Sequence, residues 1–217
     1  MIDVNEALRY LGASGADEGL RQQMEAIAQE AEQRFIPRYT YRVSAVEHRA
    51  EGQWLCDLQL LLPGNSAGKM LAECHQAVVL VCTLGLTFEQ HMRAIHARDM
   101  AQAVLLDACG SALVEAGCDA AEKEIAARFP GLYLTDRFSP GYGDLPLDLQ
   151  PAICRITDSR RRLGVHVTDS CLMNPQKSVT AIVGLADHPQ RARIRGCAYC
   201  MMKDTCLLRK GGHSCED

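Results

Sequence analysis

The sequence predicts an α+β fold: a twisted, mainly antiparallel β-sheet flanked by helices, one of them a long central helix. Three observations predict it. Segments of helical period and segments of strand alternation are mixed without strict βαβ order, which disfavours a doubly wound sheet. The stretch from Asp99 to about Phe129 reads as one long helix rich in small residues. The apolar run Ala77–Cys82 has the length of a buried strand.

The elements follow in order. Asp3-Val4-Asn5-Glu6 reads as a capping box opening a short helix that Gly12 closes. Leu20, Met24, Ile27, Ala31 and Phe35 mark a second helix from about Asp17, stopped by Pro37. The period then changes: Tyr39, Tyr41 and Val43 alternate with polar residues, and Leu55–Leu62 is a second β-rich run. After the Pro63-Gly64-Asn65-Ser66 turn, Ser66 is expected to cap a helix to about His75. Ala77–Leu84 is a strand, Thr87 caps a helix to about Arg98, and Asp99 starts the long one. Its Ala101, Ala103, Ala108, Gly110, Ala112, Ala116 and Gly117 would let neighbouring backbone come close, each internal glycine costing ~1 kcal/mol of propensity. A strand at 132–134 leads to a turn at Arg137–Asp144. Pro151 opens a helix closed by Gly164, and Val165–Met173 and Ser178–Ala186 read as two further strands.

Composition narrows the function classes. With 47% hydrophobic and 23% charged residues the chain reads as a soluble globular protein. A net charge of −4 and a pI near 6.0 argue against a nucleic-acid binder. No continuous apolar run approaches the ~20 residues that span a bilayer, and the N-terminus lacks a basic-then-apolar leader. A cytoplasmic protein without a membrane partner is expected.

The segment Arg137-Phe138-Ser139-Pro140-Gly141-Tyr142-Gly143-Asp144 carries the most chemistry. Pro140 fixes its own φ and biases Ser139 toward extended geometry. Gly141 and Gly143 permit positive φ and let a flat ligand lie on the main chain. Tyr142 offers a ring face and a hydroxyl, and Arg137 a planar fork for a carboxylate. Elsewhere Asp107, Ser111, Glu115 and Asp119 recur every four residues as one polar stripe of the long helix. His91 and His96 are five apart and share no face, so they are poor joint metal ligands.

Arg137-x-x-Pro140-Gly141-Tyr142 resembles the Arg-x-x-x-Gly-Tyr signature of the activation domain of cobalamin-dependent methionine synthase. The resemblance extends to Thr83-Leu84-Gly85, to Leu105–Glu115 and to Leu172–Gly184, and covers about residues 70–186. It is greatest to free-standing bacterial relatives of that domain. It implies that Arg137 binds the carboxylate of S-adenosylmethionine, and that Gly141, Tyr142 and the Ser139 backbone shape the adenosine pocket. An acid of the long helix would meet the ligand's ammonium, with Glu115 favoured and Asp107 second. Gly143-Asp144 departs from the family's usual continuation, and the family's N-terminal acid has no counterpart in residues 1–70.

The implied activity is reductive activation: cob(II)alamin is reduced and trapped by methyl transfer from the sulfonium. Cob(I)alamin is itself the nucleophile, so no general base is needed, and the chain offers no catalytic His or Ser constellation. It also lacks an Asp-x-His-x-x-Gly segment to ligate cobalamin. Cobalamin would therefore arrive on a partner, either a corrinoid-binding protein or a methionine synthase lacking its own activation domain, with a reductase supplying the electron. Two readings of other classes stand beside this one: a module that senses S-adenosylmethionine and docks on corrinoid proteins, and an iron–sulfur electron-transfer accessory.

The cysteines divide in two. Seven are scattered through apolar segments and read as reduced core residues. Cys197, Cys200, Cys206 and Cys215 cluster in a basic tail, and four thiolates suit either a tetrahedral zinc or a cubane iron–sulfur cluster. The expected organisation is an activation-like domain over 1–190, with N-terminal helices in 1–36, and a four-cysteine tail over 191–217.

Overall fold

The computed structural model describes residues 2–13, 15–190 and 204–205. It is an α+β protein with a six-stranded antiparallel sheet, a separate two-stranded hairpin and one long helix. The sheet runs β3 (Leu60–Leu62), β2 (Gly52–Leu55), β1 (Arg38–Arg49), β4 (Gln76–Thr83), β8 (Ser178–Ala186), β5 (Tyr133–Leu134). The hairpin pairs β6 (His166–Val167) with β7 (Met173–Asn174). The chain forms two compact, interleaved units: residues 1–40, 81–123 and 158–179 in the first, and 41–80, 124–157 and 180–217 in the second.

In the first unit, α1 (Val4–Tyr10) starts at Asp3, whose carboxylate accepts the Asn5 and Glu6 N–H groups. In α2 (Glu18–Arg34), capped by Asp17, Met24 and Ala31 of the expected stripe are buried along with Ala28, while Leu20 and Ile27 are half-buried. α4 (Gly85–His96) begins two residues before Thr87, with no side-chain cap. α5 (Met100–Arg128) starts where Asp99 accepts the Gln102 N–H. Its small residues mark close approaches: a Cβ on Gly110 would lie 2.4 Å from the Phe88 ring, and one on Gly117 2.4 Å from Pro37 and 2.8 Å from the Cys82 sulfur. Phe88 meets Phe35 edge-on at 5.0 Å.

α5 is long and apolar enough to cross a membrane by length and composition. Yet 61% of its most apolar window is buried inside the protein, which is the pattern of a core helix.

In the second unit the sheet packs its Val78, Val183 and Leu185 against Ile125 from the end of α5, with Tyr41, Val43, Phe129, Leu132 and Leu134 around them. Gly184 faces the other way, where an added Cβ would strike Cys74 and Leu71 of the region around α3 (Asn65–Leu71).

Several segments depart from the pattern read in sequence. The run 55–62 is broken at a 3-10 turn (Cys56–Leu58) and by Gln59 in the left-handed region (φ 49°), so β2 and β3 fold back as an antiparallel pair. The helix expected from Pro151 to Leu163 is two, α6 (Gln150–Ile156) and α7 (Ser159–Leu163), divided where Asp158 takes φ 53°. Residues 165–173 turn back on themselves as β6 and β7 rather than forming one strand. Ser66 does not cap α3: that helix begins after Gly64 (φ 93°) with no cap from its own first turn.

Candidate functional site

The turn at 137–145 is built at the edge of the sheet. Phe138 exchanges both main-chain hydrogen bonds with Ile182 of β8, at 3.0 and 2.8 Å, and its ring is buried. Alternation along an antiparallel pair then points the main-chain groups of Arg137 and Ser139 away from β8. Thr135 fastens the approach: its hydroxyl accepts the Gly184 N–H at 2.8 Å, and its own N–H donates to Gly184 O.

Ser139-Pro140-Gly141-Tyr142 closes as a tight turn, Tyr142 N–H donating to Ser139 O at 3.0 Å. Proline second and a positive-φ glycine third (Gly141, φ 90°) is the signature of a type II turn. A second turn follows, Leu145 N–H to Tyr142 O at 3.0 Å, and Gly141 N–H donates to Leu145 O at 2.8 Å. A Cβ on Gly141 would come within 3.3 Å of Leu147. Tyr142 stands out from this double turn 64% exposed, while Arg137 and Ser139 are half-buried.

Gly143 and Asp144 face the protein instead. A Cβ on Gly143 would overlap the Ser66 hydroxyl at 2.3 Å. The Asp144 carboxylate accepts the Asn65 and Ser66 N–H groups at 2.6 and 2.8 Å, supplying from a distance the cap that α3 lacks locally. The Ser66 hydroxyl foremost, then the Ser66 and Asn65 N–H groups, hold its pKa down to about 2. The sequence marked Gly143 as a surface for a ligand. The structure gives its space to Ser66.

The acids of the long helix belong to the first unit and have neighbours of their own. Asp107, 55% exposed, pairs with the 17%-exposed Lys177 ammonium at 2.9 Å, and Lys177 also donates to Ser111 Oγ at 2.8 Å. Lys177 is placed by its main chain: its carbonyl accepts Leu84 N–H at 3.0 Å, and Thr83 Oγ1 donates to the same oxygen at 3.3 Å. The Thr-Leu-Gly and Lys-Ser segments thus meet. Glu115 is half-buried among α1 residues. Burial foremost, then the charges of Glu115 and Asp119, pushes the Glu6 carboxyl up against the opposing pull of Arg9. Burial and Glu115 push the Tyr10 hydroxyl up to about 12. Sequence reasoning read Glu6 only as part of a capping box and passed over Tyr10, for which the i,i+4 spacing on a capped helix was the available signal.

It also passed over Thr180. This residue lies two before Ile182 on the same face of β8, is 1% exposed, and its hydroxyl has no hydrogen-bond partner among the described residues. A surface cleft of about 1110 Å³ is lined by Arg49, Gln53, Asn65, Lys69, Glu73 and His188 and includes none of residues 137–142. Among the described residues no group of three or more His, Cys, Asp or Glu is placed to hold a metal ion. Cys197, Cys200, Cys206 and Cys215 lie outside the described residues.

No family model matches the chain, and no curated protein matches it in sequence. Its fold does match a solved structure described as the crystal structure of the MetH reactivation domain bound to AdoHcy. The TM-score is 0.58 over 91% of this chain and 74% of that one, at 15% identity. The chain therefore shares the fold of a methionine synthase reactivation domain.

Proposed function

We propose that the chain binds S-adenosylmethionine at the 137–142 turn and supports reductive methylation of a corrinoid, cob(II)alamin to methylcobalamin, on a partner methyltransferase such as methionine synthase. The observation that carries this reading is the turn itself. It is a rigid type II turn pinned to β8, with Arg137 before it and an exposed Tyr142 at its end, on a fold whose solved counterpart is described with AdoHcy bound.

The residues fit the ligand chemically. Arg137 supplies a guanidinium fork for the carboxylate. The Ser139 N–H, directed away from β8, can donate to an adenine edge, while its carbonyl closes the turn with Tyr142. Tyr142 supplies a ring face beside Gly141. When bound, S-adenosylmethionine supplies an electrophilic methyl group to a cob(I)alamin carried by the partner. The chain's own residues then bind the donor, fix its direction and keep water away. The partner is a corrinoid protein or a methionine synthase without its own activation domain, served by a reductase in the cytoplasm.

Titration calorimetry tests the binding step. The wild-type chain should take up S-adenosylmethionine and S-adenosylhomocysteine at one site. Loss of a charged hydrogen bond of about 1.5–3 kcal/mol predicts weakening on the order of 10- to 100-fold in Arg137→Ala, with partial recovery in Arg137→Lys. Equal affinity in Arg137→Ala, or no binding by the wild type, would sink the proposal. Mixing the chain with a cob(II)alamin-loaded partner, a reductant and S-adenosylmethionine should then yield methylcobalamin. Binding without methylcobalamin would leave a sensing or docking module.

A further inference from the structure

The second unit holds a cleft that the proposed function does not use. It lies between the turn joining β1 to β2 (Arg49–Gln53), α3 with the residues just after it, and His188-Pro189 beyond β8. Its volume is about 1110 Å³, and pockets of ~300–1,000 Å³ already enclose a metabolite-sized ligand. Small residues make the room: Ala50, Gly52, Gly64, Gly68 and Ala72 line it, and among the described residues no large apolar side chain does. Such a wall offers hydrogen bonds and charge rather than apolar contact, so the ligand it suits is polar.

Two donors are held in place there. Gln53 is only 7% exposed, and His48 Nδ1 engages its Oε1. Its side-chain nitrogen makes no hydrogen bond to a described residue. That nitrogen faces Gly68 on the cleft wall, where an added Cβ would lie 3.7 Å from it, so the missing side chain leaves the amide open. A buried amide donor without an acceptor is costly, and an anion supplies the acceptor. Arg49 lies across the same hairpin, opposite Gly52. Its guanidinium sits over the Trp54 ring at 4.6 Å and donates to Glu47 at 2.8 Å, which fixes the fork and leaves other N–H groups for a ligand. Charge agrees in sign: Arg49, Lys69 and His188 line the cleft against Glu51 and Glu73. Glu73 is already met by His188 Nε2 at 2.7 Å, and Asp187 foremost, then Glu73, favours the charged form of that imidazole.

We propose that this cleft binds a small polar metabolite by an anionic head group, carboxylate or phosphate, held between the Arg49 guanidinium and the Gln53 amide. The inference is independent of the S-adenosylmethionine reading, so either can fail alone. In the full-length chain labelled with nitrogen-15, the Gln53 side-chain NH2 and Gly68 N–H resonances should move saturably with sodium acetate or with inorganic phosphate at constant ionic strength. The anion with the lower Kd identifies the head group. Arg49→Gln should weaken that binding by about 10-fold or more. Gln53→Glu keeps an oxygen for His48 but sets a negative charge where the amide stood, so it should abolish the binding while the far-UV circular dichroism stays that of the wild type. Arg93→Gln, in the first unit and 77% exposed, should leave the affinity unchanged. Resonances that neither anion moves, equal affinity in Arg49→Gln, or the same loss in Arg93→Gln as in Arg49→Gln would each overturn the proposal.

Discussion

Asp144 takes the Asn65 and Ser66 N–H groups into its carboxylate, and the Ser66 hydroxyl foremost, with those bonds, lowers its pKa from an ordinary 3.8 to about 2. A depressed carboxylate stabilises the folded state above its unfolded pKa, and the contribution is lost as pH falls through the folded value. Asp144→Ala should therefore lower the thermal midpoint at pH 7 by the loss of a helix cap, about 1 kcal/mol. The gap to wild type should narrow from about pH 4 downward. Melting curves across that range check both the size and the window. Nothing local in the sequence pairs position 144 with positions 65 and 66, which is why Ser66, sitting where caps sit, was the natural expectation. Thr180 makes a second case: its buried hydroxyl has no partner among the described residues. Thr180→Val should leave stability unchanged or raise it by up to about 1 kcal/mol, because it removes a polar group that burial penalises. A clear loss in denaturant melts would mean the hydroxyl is satisfied after all.

At the scale of elements, glycine acts with opposite signs in α5 and α3. Replacing a helical glycine by alanine gains about 1 kcal/mol of propensity, but overpacking a filled site costs about 1–3 kcal/mol. At Gly117 the added methyl meets the Pro37 ring at 2.4 Å and Cys82 at 2.8 Å, groups that cannot swing away, so Gly117→Ala should destabilise. At Gly68 the nearest atom is the end of the Gln53 side chain at 3.7 Å, so Gly68→Ala should stabilise. Urea midpoints of the two variants should move apart. The small residues of α5 were legible because a long helix with that composition can only serve close packing. The breaks at Gln59 and Asp158 were not: both are non-glycine residues at positive φ, a conformation that tertiary contacts impose and local propensity argues against.

At the scale of the whole molecule, the fold was read from period and length, and the same fold recurs at 15% identity in the MetH reactivation domain. What is shared is the arrangement of core positions rather than their letters. The candidate turn was legible for a similar reason, since Pro-Gly-Tyr-Gly has few conformations open to it, and Gly141 takes the positive φ expected of it. The engagement of Asp107 by Lys177 was not legible, since it depends on two segments distant in sequence coming together in the first unit. The buried apolar residues of the described chain run from Ile2 to Ala186.

The cap that joins Asp144 to α3 also provides an internal probe. Tyr142 is exposed, and Asp144, two residues on, holds the Asn65 and Ser66 N–H groups, so a ligand that orders the 142–145 turn is expected to steady those bonds as well. The Asn65 and Ser66 amide protons, nowhere near Tyr142 in sequence, would then exchange with deuterium more slowly. Occupancy of the turn could be followed by NMR on those two resonances, without any label on the ligand.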